Sequence, residues 1–253
     1  DHKYGAVDTS EIYDPVTGKW TATTGKMNAR RYKHATVLLS SGKVLTLGGL
    51  DKYDQHLDGA EVFDPTTGLW TATGSLKYAR ANHVALLLDS GDVLTSGGYS
   101  ATSSGLNTIE VYDLAKGTWA VKGYLKRARE DHRGWVQSAT QVFFVGGQTS
   151  GSKGFFSEVF NPVTGISLLW TNMATAREGH TLTRINKWKV LITGGEDWND
   201  DHLATTESFD KKTDKWTALG KMRAARLYHA AVLLKTGAVL ITGGVDNSGT
   251  RLD

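Results

Sequence analysis

Residues 64–70 read DPTTGLW, and residues 14–20 read DPVTGKW. In the first copy Asp64 can accept hydrogen bonds from the backbone of its own turn, Pro65 is preset at the φ of a turn's second residue, and Gly68 can take a positive φ without strain. The flanking AEVF (60–63) and LWTAT (69–73) are rich in β-branched and aromatic residues, so the stretch reads as strand, tight turn, strand. Three further echoes of it follow along the chain.

The echoes have a period. The glutamate of this hairpin recurs as Glu11, Glu61, Glu110, Glu158 and Glu207, at spacings of 50, 49, 48 and 49. An Arg-x-x-His recurs as Arg31/His34, Arg80/His83, Arg129/His132, Arg177/His180 and Arg226/His229, and a glycine pair closes each unit at 48–49, 97–98, 146–147, 194–195 and 243–244. Between the histidine and the glycines lies a second hairpin, as in HATVLLSSGKVLTLGG (34–49) and HAAVLLKTGAVLITGG (229–244). Four strands in each unit of about 50 residues, with no helical periodicity, is the pattern of a propeller blade.

In this order (Arg-x-x-His, apolar strand, Gly-Gly, variable loop, Glu-x-Tyr/Phe-Asp, turn, Gly-x-Trp) the units resemble the kelch repeat across essentially the whole chain. The resemblance implies an all-β, kelch-type β-propeller of five four-stranded blades in a single domain, 1–253. The repeats run approximately over 1–50, 51–99, 100–148, 149–196 and 197–245. Closure is expected from pairing of the hairpin near 9–23 with that near 229–244, which removes exposed sheet edges. Residues 246–253 also align with residues 1–8, as they would in an excerpt of a six- or seven-bladed array.

Composition narrows the function classes. The chain has 29 basic against 26 acidic residues and a net charge of +3, so it carries no electrostatic footprint for nucleic acid. No apolar run is long enough to insert into a membrane as a helix, and no secretory leader pattern opens the sequence. The absence of cysteine excludes disulfides and thiol chemistry while permitting an extracellular or a cytoplasmic location.

A group repeated once per blade is expected to hold blades together, since an enzyme needs one site and not five. Each arginine and glutamate are expected to satisfy one another across a blade boundary, because an unpaired buried charge is very costly. The glycine pairs are read as points of close approach or positive φ, and not as a phosphate loop, because no helix follows them. Trp20, Trp70, Trp119 and Trp216 lie nine residues after each glutamate and are read as packing between blades, with Trp70 buried. In the fourth unit that position is Ser167 and the tryptophan is Trp170, so either a bulge restores the face or the blade packs differently.

Function should then lie in what the repeats do not share. The loops after each Gly-Gly vary, and so does the pair inside each Arg-x-x-His; chain direction puts both at one end of the blades. Variable loops on a rigid scaffold are where binding usually resides, and kelch domains commonly bind peptides or proteins with this face. The expected ligand-binding residues are Tyr32, Lys33, Asn82, Glu130, Asp131, Glu178 and Tyr228, with Tyr53 and Trp198 on the rim. The leading reading is a non-catalytic scaffold for a protein or peptide partner. A carbohydrate-binding propeller using Tyr53 and Trp198 as sugar platforms comes second. An enzyme resembling galactose oxidase comes last, because its copper site needs a cysteine-crosslinked tyrosine. No catalytic residue, cofactor or metal is expected; the DWNDDH loop (197–202) lacks the glycine and the distant bidentate glutamate of a helix-flanked calcium loop.

Overall fold

Burial follows strand position within each repeat. The second strand is the most enclosed: Val44–Leu47, Val93–Ser96, Gln141–Val145 and Lys189–Thr193 are buried over most of their length, so they read as short apolar runs and not as alternation. The fourth strand is the most exposed, as in Leu69–Thr73 and Lys215–Ala218. The computed structural model describes residues 5–149 and 152–252.

The described residues contain no helix, and so none long and apolar enough to cross a membrane. They form four four-stranded antiparallel sheets, consistent with kelch propeller blades; three are meanders of consecutive strands, and in the third a short hairpin, Gln148–Thr149/Ser152–Lys153, intervenes between the second and third strands. The chain clusters into two compact units, residues 1–122 and 123–253. The first holds the hairpin Glu11–Asp14/Lys19–Ala22, the sheet Ala35–Leu38, Val44–Leu47, Ala60–Asp64, Leu69–Thr73, and the sheet that begins Val84–Leu87, Val93–Ser96, Leu106–Asp113. The last strand of that second sheet, Thr118–Arg129, runs on into the second unit. There the sheets are Arg133–Ser138, Gln141–Val145, Ser157–Asn161, Ile166–Leu169 and Thr181–Arg184, Lys189–Thr193, Thr206–Asp210, Lys215–Ala218, followed by the hairpin Ala230–Leu233/Val239–Thr242. The two hairpins expected to share a closing blade are each a two-stranded sheet among the described residues.

Each unit has its own apolar core, built from strands of neighbouring sheets. Leu45, Leu47, Val93 and Trp119 meet in the first; Phe143, Val145, Ile192 and Phe209 meet in the second. The repeat tryptophans stack in one geometry on the aromatic directly across the hairpin. Tyr13–Trp20, Phe63–Trp70, Tyr112–Trp119 and Phe209–Trp216 have centroids 5.1–5.2 Å apart and planes tilted by 41–43°. Two of them also reach back to the preceding repeat: Trp70 Nε1 donates to Ser10 Oγ at 3.0 Å, and Trp216 Nε1 to the Thr171 carbonyl at 3.1 Å. Trp70 is half-buried, not fully enclosed as expected, whereas Trp119 is 3% exposed. Trp119→Ala should therefore cost about 3–5 kcal/mol, and Trp70→Ala roughly half of that, measured by thermal or denaturant unfolding.

In the fourth repeat the register runs unbroken through Phe160 opposite Ser167, so no bulge restores the face and the blade is packed differently. Ser167 is buried where the other repeats place a tryptophan. Trp170 turns instead to the edge of Phe143, with the Lys211 ammonium 5.3 Å from its ring centre.

The repeated arginines are consumed by the scaffold. Arg31 donates to the carbonyls of Gly48 (2.7 Å) and Gly59 (3.2 Å) and to Glu61 (2.7 Å); Arg177 repeats the pattern on Gly194, Thr205 and Glu207. Arg129 pairs with Glu158 in the same way. Each pair ties a sheet's third strand, where Glu61 lies, to the segment that enters that sheet from the preceding repeat, where Arg31 bridges Val7. The carboxylate also reaches the link entering from the preceding repeat, accepting the backbone N–H groups of Asn28 (2.6 Å) and Ala29 (3.1 Å). The glycine pairs mark points of close backbone approach. A Cβ on Gly48 would meet the Arg80 carbonyl at 2.6 Å, and one on Gly49 the Tyr32 carbonyl at 2.5 Å, and both glycines have positive φ.

Candidate functional site

The residue directly after each glycine pair bridges the first residue of the pair inside Arg-x-x-His. Tyr32 bridges Leu50, Ala81 bridges Tyr99, Glu130 bridges Gln148, Glu178 bridges Glu196 and Leu227 bridges Val245. The insert pairs and the post-glycine loops therefore share one end of every repeat. The next residue along takes a left-handed backbone in all five repeats: Lys33 (53°), Asn82 (52°), Asp131 (51°), Gly179 (58°) and Tyr228 (55°). Lysine and tyrosine hold that conformation at a cost of about 1 kcal/mol relative to glycine. Main-chain bonds impose it, since the Asn82 N–H donates to the Lys33 carbonyl and the Tyr228 N–H to the Gly179 carbonyl, each at 3.1 Å. The geometry is common to the repeats, and only the side chain differs.

At the loop end of the first unit, Tyr32 donates its hydroxyl to Asp54, and this bond, with burial and the Asp54 charge, pushes the phenol up to about 12. Lys33 reaches the Tyr99 hydroxyl at 3.3 Å with its ammonium 5.4 Å from that ring's centre, and His56 meets the same ring edge-on at 4.9 Å. Tyr53 projects into solvent with the Lys52 ammonium 4.6 Å from its ring centre. Asn82 is half-buried, its backbone tied to Lys33. Aromatic rings and a cation make up this patch.

The loop end of the second unit is acidic. Lys153 stands among three carboxylates: Asp200 at 2.5 Å, Glu196 at 3.3 Å and Glu178 at 3.7 Å. Burial raises Glu178 to about 7 against the lowering effect of Lys153, with Asp131, Glu196 and Glu130 adding to the rise. Tyr228 is 57% exposed, and its phenol is raised by enclosure and by the same carboxylates of Asp131, Glu178, Glu196 and Glu130. The Arg133 guanidinium feels Asp131 and Tyr228. Trp198 is exposed and packs on Phe155, ring centres 5.7 Å apart.

Of the nine residues that the sequence singles out, Tyr32 and Lys33 thus join one cluster with Tyr53 and Asn82 beside it, while Glu130, Asp131, Glu178 and Tyr228 join another with Trp198 beside it. Sequence reasoning misses Asp54, Tyr99, Lys153 and Glu196, which belong to these clusters. Glu196 and Tyr99 each directly follow a glycine pair, which is a usable signal; Lys153 has no counterpart in other repeats, so the period gives none. In the DWNDDH loop Asp197 spends its carboxylate on the N–H groups of Asn199 (2.9 Å) and Asp201 (3.2 Å), as Asp51 and Asp246 do in their own loops. That is turn chemistry.

A family model described as Kelch motif matches residues 31–77, one repeat's length from Arg31 through the sheet that follows it. Comparison with curated proteins gives no match.

Proposed function

We infer that this chain, a kelch-repeat protein, is a non-catalytic binding scaffold that recognises a protein or peptide through the loop end of its repeats. Kelch repeats generally mediate protein–protein interaction, and the reading rests on one contrast. In the four-stranded sheets the repeated arginine and glutamate are used up in holding the sheet, while the residues that differ between repeats stand on a shared left-handed backbone at one end of each repeat. Tyr32, Lys33, Tyr53, Asn82, Glu130, Asp131, Glu178, Trp198 and Tyr228 are the proposed contacts. The set mixes aromatic anchors with both signs of charge, as energetic hot spots in interfaces do.

The test is a partner isolated from the native source and titrated against variants. Tyr32→Ala and Tyr228→Ala should each weaken binding by about 1–3 kcal/mol, and Thr66→Ala, in the turn at the opposite end, should leave it unchanged. Binding lost in Thr66→Ala and retained in both tyrosine variants would place the ligand at the other end.

A further inference from the structure

Around Glu178 the second unit's loop end gathers the carboxylates of Glu130, Asp131 and Glu196 and the Lys153 ammonium, which also holds Asp200. This is a local feature, because the chain as a whole carries +3. Lys153 is engaged chiefly by Asp200 and Glu196. Glu178 is only 7% exposed, yet its Oε2 accepts no hydrogen bond among the described residues, and its Oε1 is 3.7 Å from Lys153, too far for a good hydrogen bond. A buried carboxylate oxygen without a donor is a standing cost to the fold. Rotation about the soft terminal torsion of a glutamate exchanges its two oxygens, so the unpartnered one can be presented to an incoming donor.

What would satisfy it is constrained. The donor must be cationic, since three further carboxylates act on Glu178. It must tolerate an aromatic neighbour, since Tyr228 stands over Gly179, where a Cβ would lie 2.9 Å from the Tyr228 ring. Arginine fits both, with a planar fork that matches carboxylates and a face that stacks on aromatic rings. We propose that the loop end of the second unit docks an arginine-bearing basic segment of a partner protein, with the guanidinium received by Glu178, Glu130 and Asp131 beside the ring of Tyr228. This rests on the binding-scaffold reading above and names the chemistry of the partner.

The experiment uses the whole 253-residue chain and a short fluorescein-labelled peptide alternating glycine and arginine, followed by fluorescence anisotropy at pH 8 and physiological salt. A matched peptide with glutamate in place of arginine is the control. The arginine peptide should bind and the glutamate peptide should not. Glu178→Gln should weaken binding at least about tenfold, Asp131→Asn should weaken it less, and Thr66→Ala, in the turn at the opposite end of its sheet, should leave it unchanged. Glu178→Gln should at the same time melt no lower than the parent at pH 8, because it removes an uncompensated buried charge; loss of binding then does not report unfolding. Equal binding of both peptides, or an arginine peptide indifferent to Glu178→Gln, overturns the proposal. If the isolated native partner depends on Tyr32 but the arginine peptide does not bind, the basic-segment proposal falls and the scaffold reading stands. If that partner is indifferent to every loop-end variant, the scaffold reading falls as well.

Discussion

Arg80→Ala should destabilise the protein by about 3–5 kcal/mol, enough to remove a large part of a typical domain's stability. Arg80 and Glu110 are both fully buried, and the guanidinium donates to the Gly97 carbonyl (2.7 Å), the Thr108 carbonyl (3.2 Å), Thr108 Oγ1 (2.8 Å) and Glu110 (2.7 Å). Truncation leaves the Glu110 charge without its cationic partner and removes the arginine donor from the Gly97 carbonyl, while the Thr108 carbonyl keeps only the Gly97 N–H at 3.2 Å. Arg80→Lys should recover little, because an ammonium cannot span that fork. Replacing the pair together by Arg80→Met and Glu110→Leu is often harmless for buried ion pairs, but here it should remain costly. Glu110 also accepts the backbone N–H groups of Lys77 (2.6 Å) and Tyr78 (3.1 Å), which would be orphaned. Urea unfolding of the three variants measures this. A loss below about 1 kcal/mol for Arg80→Ala would show that the arginine does not hold the blade together.

Acid should unfold the protein through its repeat histidines. His83 and His180 are held well below the usual imidazole range, first by burial and then by neighbouring arginines, and neither ring nitrogen of His180 has a hydrogen-bond partner among the described residues. His229 is lowered to about 4 by burial and by Arg226 and Arg133. A folded-state pKa below the unfolded value of 6.5 means that the unfolded chain binds more protons between the two. The stability is then fully present above about pH 6.5 and is lost as pH falls toward 4. His229 contributes on the order of 3 kcal/mol to that loss. Glu178 works the other way: raised to about 7 from 4.5, it favours the folded state as pH falls through 7, by a similar amount. Those two offset each other, so His34, lowered to about 4 by burial and by Arg31, decides the sign together with His83 and His180, and Glu61, held below the usual carboxylate range, adds further loss below about pH 4.5. The melting temperature should fall steeply between about pH 6.5 and 4, and His229→Gln should flatten part of that fall. A melting temperature constant from about pH 7 to 4.5 would contradict the buried-neutral assignment.

Much of the architecture is legible in the sequence alone. The four-stranded antiparallel sheets, the arginine–glutamate pairs and the close approach at the glycine pairs follow from residues that recur in register. Depth is not legible. Trp70 and Trp119 occupy the same repeat position, yet one is half-buried and the other enclosed, because burial depends on what the neighbouring repeat presents. The acidic cluster is legible only in part. Glu130, Asp131 and Glu178 stand out as departures from the other repeats, but Glu178 in sequence looks like a loop tip and in the fold is buried, since its main chain bridges Glu196 and the Tyr228 ring lies over the adjoining Gly179.

The left-handed residue ahead of each repeat histidine is a station of the same backbone geometry in every repeat. Lys33, Asn82, Asp131, Gly179 and Tyr228 occupy it with φ between 51° and 58°, a spread far smaller than the chemical range of the side chains. The main chain sets the posture, so the occupant is free to be a cation, an amide, an anion, a blank or an aromatic. Where two stations share no side-chain partner, the effects of changing them should add. The surface can accordingly be rewritten one letter at a time, in evolution or in a combinatorial library, with glycine as the neutral letter and the underlying sheets left as they are.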